Sequence, residues 1–298
     1  MVTTFKNMVD SVSLALAGYT MRQDTMTSLA NAITSSDLTI TVQSVENIGQ
    51  GIIEIDDELM YVQAVNRQAS TLTIAPWGRG YMGSVATAHD ANAKVSAAPT
   101  FPRKAIEDAI NDTIRSVSSL LFGVGFTTFT FTPATTTYAM PAEADGILSI
   151  TYEEVGPSKE WIHIRKYDLD KSANTTAFPT GRTVTIRQYV EPGRTVSIRY
   201  SKDPSVLVNG TDVFTTVTGL PDSCEDVIRY GAQHRLLTNI EPGRLSITAP
   251  EADYNSNRVT FGSGTNTAKY IYALFQQRLA EESKRLKSKY GTRVHYTR

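Results

Sequence analysis

Asp56-Asp57-Glu58 puts three carboxylates in succession, and His89 follows in the run A-T-A-H-D-A-N-A. Together, Asp56, Asp57 and His89 hold the groups for acid–base hydrolysis, and the three acids alone hold the groups for a hard cation. Spacing argues against both. A calcium loop alternates its ligands and turns on a glycine, as in D-x-D-x-D-G, and consecutive acids beside Leu59-Met60-Tyr61 read as a hairpin turn instead. A serine nucleophile needs a strained G-x-S-x-G elbow, which does not occur. His163, His234 and His295 stand without an H-x-x-x-H partner, so they read as structural or surface histidines. Gly78-Arg79-Gly80 with Gly83 lacks the G-K-S/T ending of a phosphate loop and follows Pro76-Trp77, so these are turn glycines. Cys224 lies on an apolar helix face and reads as a small buried hydrophobe. No catalytic residue, metal ligand or cofactor is expected.

The exception is the C-terminus. Lys284, Arg285, Lys287, Lys289, Arg293 and Arg298 fall in a stretch that contains no acid. Cations suit the end of a helix through its macrodipole, and Glu281 stands at i, i+4 spacing to pair with Arg285. The remaining charge suits an acidic partner surface or a nucleic-acid backbone. Tyr290 and Tyr296 add amphipathic anchors of the kind interfaces favour.

With 29 Lys and Arg against 30 Asp and Glu, the net charge is −1, which excludes a strongly basic nucleic-acid binder and gives no attraction to an anionic membrane. A single cysteine permits neither an internal disulfide nor a Cys-based metal site and fits a reducing cytoplasm. The opening M-V-T-T-F-K-N-M-V-D is not a signal peptide, and no apolar run reaches membrane-spanning length. The sequons at Asn111, Asn174 and Asn209 carry no meaning without secretion.

The elements that would position these residues alternate in type. Phe5, Met8, Val9, Val12 and Leu16 recur at helical spacing up to Gly18, and Met26, Leu29, Ala30 and Ile33 suggest a second short helix over 24–33. From Leu38 the period becomes two, through Ile40, Val42, Ile53, Ile55, Leu72 and Ile74, which predicts a small barrel or sandwich ending near Pro99. Phe101-Pro102 opens a helix, with Pro102 at its first position, carrying Ile106, Ala109, Ile110, Ile114, Val117 and Leu121 and stopping at Gly123 and Gly125. A Thr-rich β region follows, in which residues 183–200 read as a hairpin turning at Glu191-Pro192-Gly193-Arg194. Leu220-Pro221-Asp222 reopens a helix, and a last one runs over about Thr267–Lys289.

Isolated helices cannot bury their own apolar faces. The expected fold is therefore α+β: a helical bundle core drawn from the N-terminus, middle and C-terminus, with two inserted all-β modules. The divisions are N-terminal helices 1–36, a small β module 37–99, a central helix 100–124, a sandwich-like second β module 125–218, C-terminal helices 219–289 and a basic tail 290–298.

The run I-D-D-E-L-M-Y-V-Q-A-V … R-G-Y-M-G-S-V-A-T-A-H-D-A-N-A-K-V resembles a small β module of tailed-bacteriophage virion proteins. That pattern has an E-x-x-x-V strand before R-G-x-x-G-T-x-A-x-x-H-x-x-G-x-x-V. This chain has Ser84 where Thr is usual and Asn92 where Gly is usual. The segment L-P-D-S-C-E-D-V-I-R-Y-G-A-Q-H-R-L-L and the late helix with its basic tail resemble phage head-to-tail connector (adaptor) proteins. The resemblance implies a structural virion protein of the neck, between capsid and tail, assembled in the host cytoplasm and without enzymatic activity. It implies a ring of copies, commonly twelve, docked under the portal protein, extending the DNA channel and meeting tail-side neck proteins such as a stopper or tail terminator. Contact with genomic DNA would be transient and non-specific, with no membrane partner. On that reading Tyr290, Arg293, Tyr296 and Arg298 contact the portal, while Lys284, Arg285, Lys287 and Lys289 face portal or DNA. A baseplate or tail-tip protein, its β modules binding a partner or glycan, is the alternative.

Overall fold

A computed structural model describes residues 3–19, 24–154, 160–238 and 263–290. Its described helices are α1 (Phe5–Ala17), α2 (Arg103–Val117), α3 (Phe214–Thr218), α4 (Glu225–Thr238) and α5 (Ser263–Lys289). The chain divides into two compact units, Lys6–Asn111 with Gly231–Ile271, and Met1–Phe5 with Asp112–Tyr230 and Tyr272–Arg298.

The first unit is a curled sheet. It contains β1 (Thr25–Ser28), β2 (Thr39–Thr41), β3 (Gly51–Ile55), β4 (Glu58–Asn66), β5 (Thr71–Ile74) and β6 (Lys94–Ala97), in the order β1-β6-β3-β4-β5-β2 with every pairing antiparallel. The sheet bends until its two edges meet: Leu29 bridges Val42, Ala30 N–H donates to Thr41 O and Gln43 N–H to Ser28 O. Alternation sends Ile40, Ile53, Ile55, Met60, Val62 and Leu72 inward to a core drawn from strands and their connections.

The second unit holds two sheets. Strands β7 (Gly123–Thr130), β9 (Gly146–Glu153), β10 (Trp161–His163) and β13 (Thr195–Lys202) form one in the order β10-β9-β13-β7. Strands β8 (Thr137–Ala139), β11 (Tyr167–Asp170) and β12 (Thr183–Ile186) form the other in the order β11-β12-β8. Both contribute to one apolar core, with Ile150, Val196 and Ile198 from the first and Val184 and Ile186 from the second. Gly125 lies flat beneath the ring of Tyr200, where a Cβ would stand 2.2 Å from Cζ, so the strand crosses that ring only without a side chain.

The structure corrects the expected fold and two of its elements. The fold is mostly β, with three sheets among the described residues, and not a helical bundle carrying two β insertions. The physical reason is that each β region closes an apolar core of its own, to which no helix residue belongs. Residues 25–28 form a strand where helical spacing suggested a helix: Leu29 and Ile33 are buried as expected, but their N–H groups reach Ala93 and His89 carbonyls across the sheet. Thr25, Thr27 and Ser28 weaken a helix and favour that outcome. Residues 183–200 are not a hairpin, because β12 pairs with β11 and β8 while β13 pairs with β7 and β9.

Helix boundaries follow the apolar stripes closely. Phe5, Met8, Val9, Val12 and Leu16 of α1 are all buried, as are Ile106, Ile110, Ile114 and Val117 of α2. Pro102 sits one place before α2 and accepts from Ile106 N–H, so it caps the helix and does not begin it. Gly123 and Gly125 start a strand instead of ending the helix. None of the helices in the described residues is long and apolar enough to cross a membrane.

Candidate functional site

Glu58 opens β4 directly after the Asp56-Asp57 turn, and its side chain is fully buried. A buried carboxylate must be paired and hydrogen-bonded, and this one is saturated. Oε1 accepts from Arg79 Nε at 2.8 Å and from Gly80 N–H at 2.9 Å. Oε2 accepts from Arg79 Nη2, Thr87 N–H and the His89 Nε2, each at 3.0 Å.

Arg79 is equally committed. Beyond Glu58 its guanidinium donates to Thr34 O at 2.7 Å, Asp37 O at 2.9 Å and Thr87 O at 2.7 Å, so all five of its N–H groups are used. His89 completes the group, with Nδ1 2.8 Å from Asp56 Oδ2. Burial alone would raise the Glu58 carboxyl, yet the hydrogen bonds from His89, Arg79, Thr87 and Gly80 outweigh it and hold the group at about 2. The Glu58 bond raises the His89 imidazole, burial works against it, and Asp56 adds to the rise. Protonated, His89 donates from both nitrogens to two carboxylates.

This geometry gives each position of the sequence pattern a physical task. Gly80 takes φ 61° so that its N–H can point at Glu58. Ser84 Oγ accepts from Leu59 N–H at 2.9 Å and donates to Tyr81 O at 2.9 Å, which a threonine hydroxyl would do as well. Asn92 stands at φ 68°, a left-handed conformation that explains a usual Gly and tolerates Asn. Val95 is buried in the core.

The hydrolytic trio is not assembled. Asp56 faces His89, but Asp57 turns away to Arg103, with Oδ1 2.6 Å from Nε. Asp56 and Asp57 do form the β3–β4 turn that the sequence suggested. Glu58, the buried member of the run, has no lone pair left for a proton-abstracting role. Arg79 is the residue that sequence reasoning missed: its partners lie far off in the chain, and the glycines beside it drew the attention. Among the described residues no group of three or more His, Cys, Asp and Glu is placed to hold a metal ion. His163 is exposed, and His234 Nδ1 lies 3.2 Å from Ala268 O. His295 lies outside the described residues.

A second buried carboxylate adjoins this group. Glu54 Oε1 accepts from Arg103 N–H, the first residue of α2, at 2.5 Å. Burial pushes its carboxyl up to about 7 despite that bond and the Arg103 charge. Arg103 is shared with Asp10, Nη1 to Oδ1 at 2.6 Å.

What these knots hold in place is an apolar surface. Trp77, Met82 and Val85 are exposed, and the rings of Tyr61, Trp77 and Tyr81 cluster with centroids 4.9–5.8 Å apart. Met82 takes φ 53°, a strained conformation for a side chain of its size, fixed by flanking turns.

At the C-terminal end of α5, Lys284, Arg285, Lys287 and Lys289 are all exposed. Leu286 is buried between them, so the helix end is amphipathic. Glu281 pairs with Arg278 at 2.7 Å, and Arg285 reaches Glu282 at 3.6 Å, which replaces the Glu281–Arg285 pair expected from spacing. Ser223 Oγ donates to Glu282 Oε2 at 2.6 Å, and Ser283 Oγ to Leu120 O at 3.2 Å, so the helix is moored along its inner face. Cys224 is buried as expected, and burial, with the Glu282 charge, pushes its thiol up to about 12. Tyr290 is half-buried with its ring 6.5 Å from that of Phe122 and 5.5 Å from Lys289 Nζ. Arg293, Tyr296 and Arg298 lie outside the described residues.

Residues 83–296 match the model of the SU10 adaptor protein family, well over half of the chain, and the chain belongs to that family. No curated protein matches it. Membership makes the chain a bacteriophage structural adaptor, a virion component that engages other phage structural proteins.

Proposed function

We propose that this adaptor works at the head-to-tail junction, as a ring of copies beneath the portal that prolongs the DNA channel and offers the tail a landing surface. The observation that carries the reading is the family match, which spans α2 to α5 and reaches residue 296. The exposed cations Lys284, Arg285, Lys287 and Lys289 support it, because they crown a helix whose opposite face is moored to its own unit. Tyr290, Arg293, Tyr296 and Arg298 are assigned to the portal. The four helix cations face portal or DNA. A net charge of −1 suits a lumen through which DNA must slide without being gripped. Heterologous contacts between copies must close into a ring, and obligate contacts of that kind bury on the order of 2,000 Å² or more.

The exposed Trp77, Met82 and Val85 favour a second reading, a baseplate or tail-tip protein that binds a partner or glycan through its β modules. Negative-stain images of the purified chain with portal rings separate the two. Twelvefold rings on the portal support the junction, whereas threefold or sixfold assemblies without portal binding support the tail tip. A chain truncated after Lys289 is expected to stay folded and to lose portal capture. Retained capture would remove the tail from the interface.

A further inference from the structure

The four-stranded sheet of the second unit has two faces, and only one of them is turned to the core. Alternation points Ile150, Ile164, Val196 and Ile198 inward and the residues between them outward. Register sets those outward side chains in rows across the strands. One row runs from Ser149 through Arg199 to Phe126, and the next from His163 through Thr151 and Ser197 to Thr128. Ile164 N–H donates to Ile150 O, so pairing continues past His163 and brings Arg165 level with Ser149.

Arg165 and Arg199 thus flank Ser149, two strand spacings or about 10 Å apart. Both are exposed, and among the described residues neither guanidinium meets a carboxylate. The neighbouring Glu143 and Asp145 are already paired, with Lys202 and Lys171. Acids gather at the other end of the sheet, about 13 Å along β9 from Ser149. There Glu153 stands opposite Trp161, with the exposed Glu154 and Glu160 beyond. The face is therefore polar in the electrical sense, with its positive end at the two arginines. Phe126, 61% exposed, lies directly across from Arg199 at that end.

Each of these groups has a task on a nucleic-acid strand. Unpaired guanidiniums and Ser or Thr hydroxyls donate to phosphate oxygens. An exposed ring stacks on an unpaired base, whereas the bases of a duplex are already stacked on one another. An open sheet face offers no helix or ribbon to enter a groove, so it reads no sequence.

We propose that the outer face of this sheet binds a single nucleic-acid strand without sequence preference, its phosphates on Arg165 and Arg199 and a base on Phe126. The site uses none of the α5 cations and needs neither a ring nor a portal.

Fluorescence anisotropy of the full chain with a labelled oligothymidylate of about ten nucleotides tests it. Binding is expected at about 50 mM salt, and weaker binding with a duplex of the same length. Arg165→Ala combined with Arg199→Ala is expected to weaken it about tenfold or more. The same pair should flatten the slope of log affinity against log salt by about 1.4, the share of two phosphate contacts. Phe126→Ala should weaken binding about tenfold and leave that slope unchanged. All three side chains are exposed, and circular dichroism checks that the variants keep their fold. No binding of oligothymidylate overturns the proposal, as does a duplex that binds equally well and ignores Phe126→Ala. Equal competition by polyglutamate, which stands for an acidic protein, also overturns it. So does a larger loss in Lys287→Ala with Lys289→Ala than in the arginine pair, because the strand would then lie on the helix end. Portal capture does not enter these measurements, so their failure leaves the junction reading standing.

Discussion

Arg79 and Glu58 meet as a two-toothed ion pair, Nε to Oε1 at 2.8 Å and Nη2 to Oε2 at 3.0 Å, with both side chains shut away from water. Pairs of this kind are dangerous to break, because removing one partner leaves the other charged and unsatisfied. Arg79→Met is expected to cost about 3–5 kcal/mol in the curled-sheet unit. Arg79→Lys should recover less than half of that, since an ammonium cannot reach five acceptors at once. Urea unfolding followed by Trp77 fluorescence in a Trp161→Phe background measures both. A loss under 1 kcal/mol in Arg79→Met would refute the pairing as described.

The same group dictates how stability responds to pH. Glu58 is held at about 2, below its unfolded value, so its contribution is complete above about pH 4.5 and disappears as pH falls toward 2. From the size of the shift this amounts to about 3 kcal/mol. His89 is raised, so its contribution is present below its unfolded value and is lost as pH climbs through the folded one. Acid titration of unfolding free energy in Glu58→Gln should show a shallower decline between about pH 4.5 and 2 than the wild type, the remainder coming from Asp37, Glu143, Asp212 and Glu281, whose carboxyls are also held low.

Glu54 works in the opposite direction. An acid raised to about 7 binds its proton more tightly folded than unfolded, so it favours folding at low pH and detracts as pH rises from about 4.5 through 7. Glu54→Gln retains an acceptor for Arg103 N–H and removes the charge. It is expected to stabilise the chain by about 1–3 kcal/mol at pH 8 and by nothing at pH 4. Equal effects at the two pH values would show that Glu54 ionises normally.

Gly125 and Tyr200 should couple in a double-mutant cycle. Gly125→Ala thrusts a methyl into the Tyr200 ring, and overpacking of this sort costs about 1–3 kcal/mol. In a Tyr200→Leu background the penalty should shrink by half or more, although Tyr200→Leu itself gives up the bond to Glu143 at 2.8 Å. Additive effects would mean that the strand and ring are not in contact.

Cys224 gives a simple probe of the second unit. With the thiol buried and raised to about 12, a thiol reagent at pH 8 should modify it only on unfolding. Rapid labelling of the native chain would contradict the burial of Cys224 in the turn that Ser223 ties to Glu282.

The sequence was most legible where one period ran without interruption. Helix α1 announces itself because Phe5, Met8, Val9, Val12 and Leu16 leave no competing alternation, and α2 does so through Ile106, Ile110, Ile114 and Val117. It was least legible where long-range pairing decides. Leu29 and Ile33 fit a helix as well as a sheet, and only the carbonyls of Ala93 and His89, far along the chain, settle the matter. The turn at Pro192-Gly193 is present, yet the strands on either side belong to different sheets, which no local pattern encodes. Helical stripes at three distant places suggested a common hub; the sheets proved able to enclose their own interiors. The knot on Arg79 was hidden for the same reason, since Glu58, Thr34 and Thr87 converge only after folding. The family pattern held its chemistry all along, as a glutamate, an arginine and a histidine awaiting one another.

The contact of Leu29 with Val42 reaches past its own module. By joining residues 28–30 at one edge of the sheet to residues 41–43 at the other, it closes part of the margin onto which a foreign chain could be stitched. Along that closed stretch a crowded neighbour meets side chains instead of free backbone, which lowers the risk of copies fusing edge to edge into fibres.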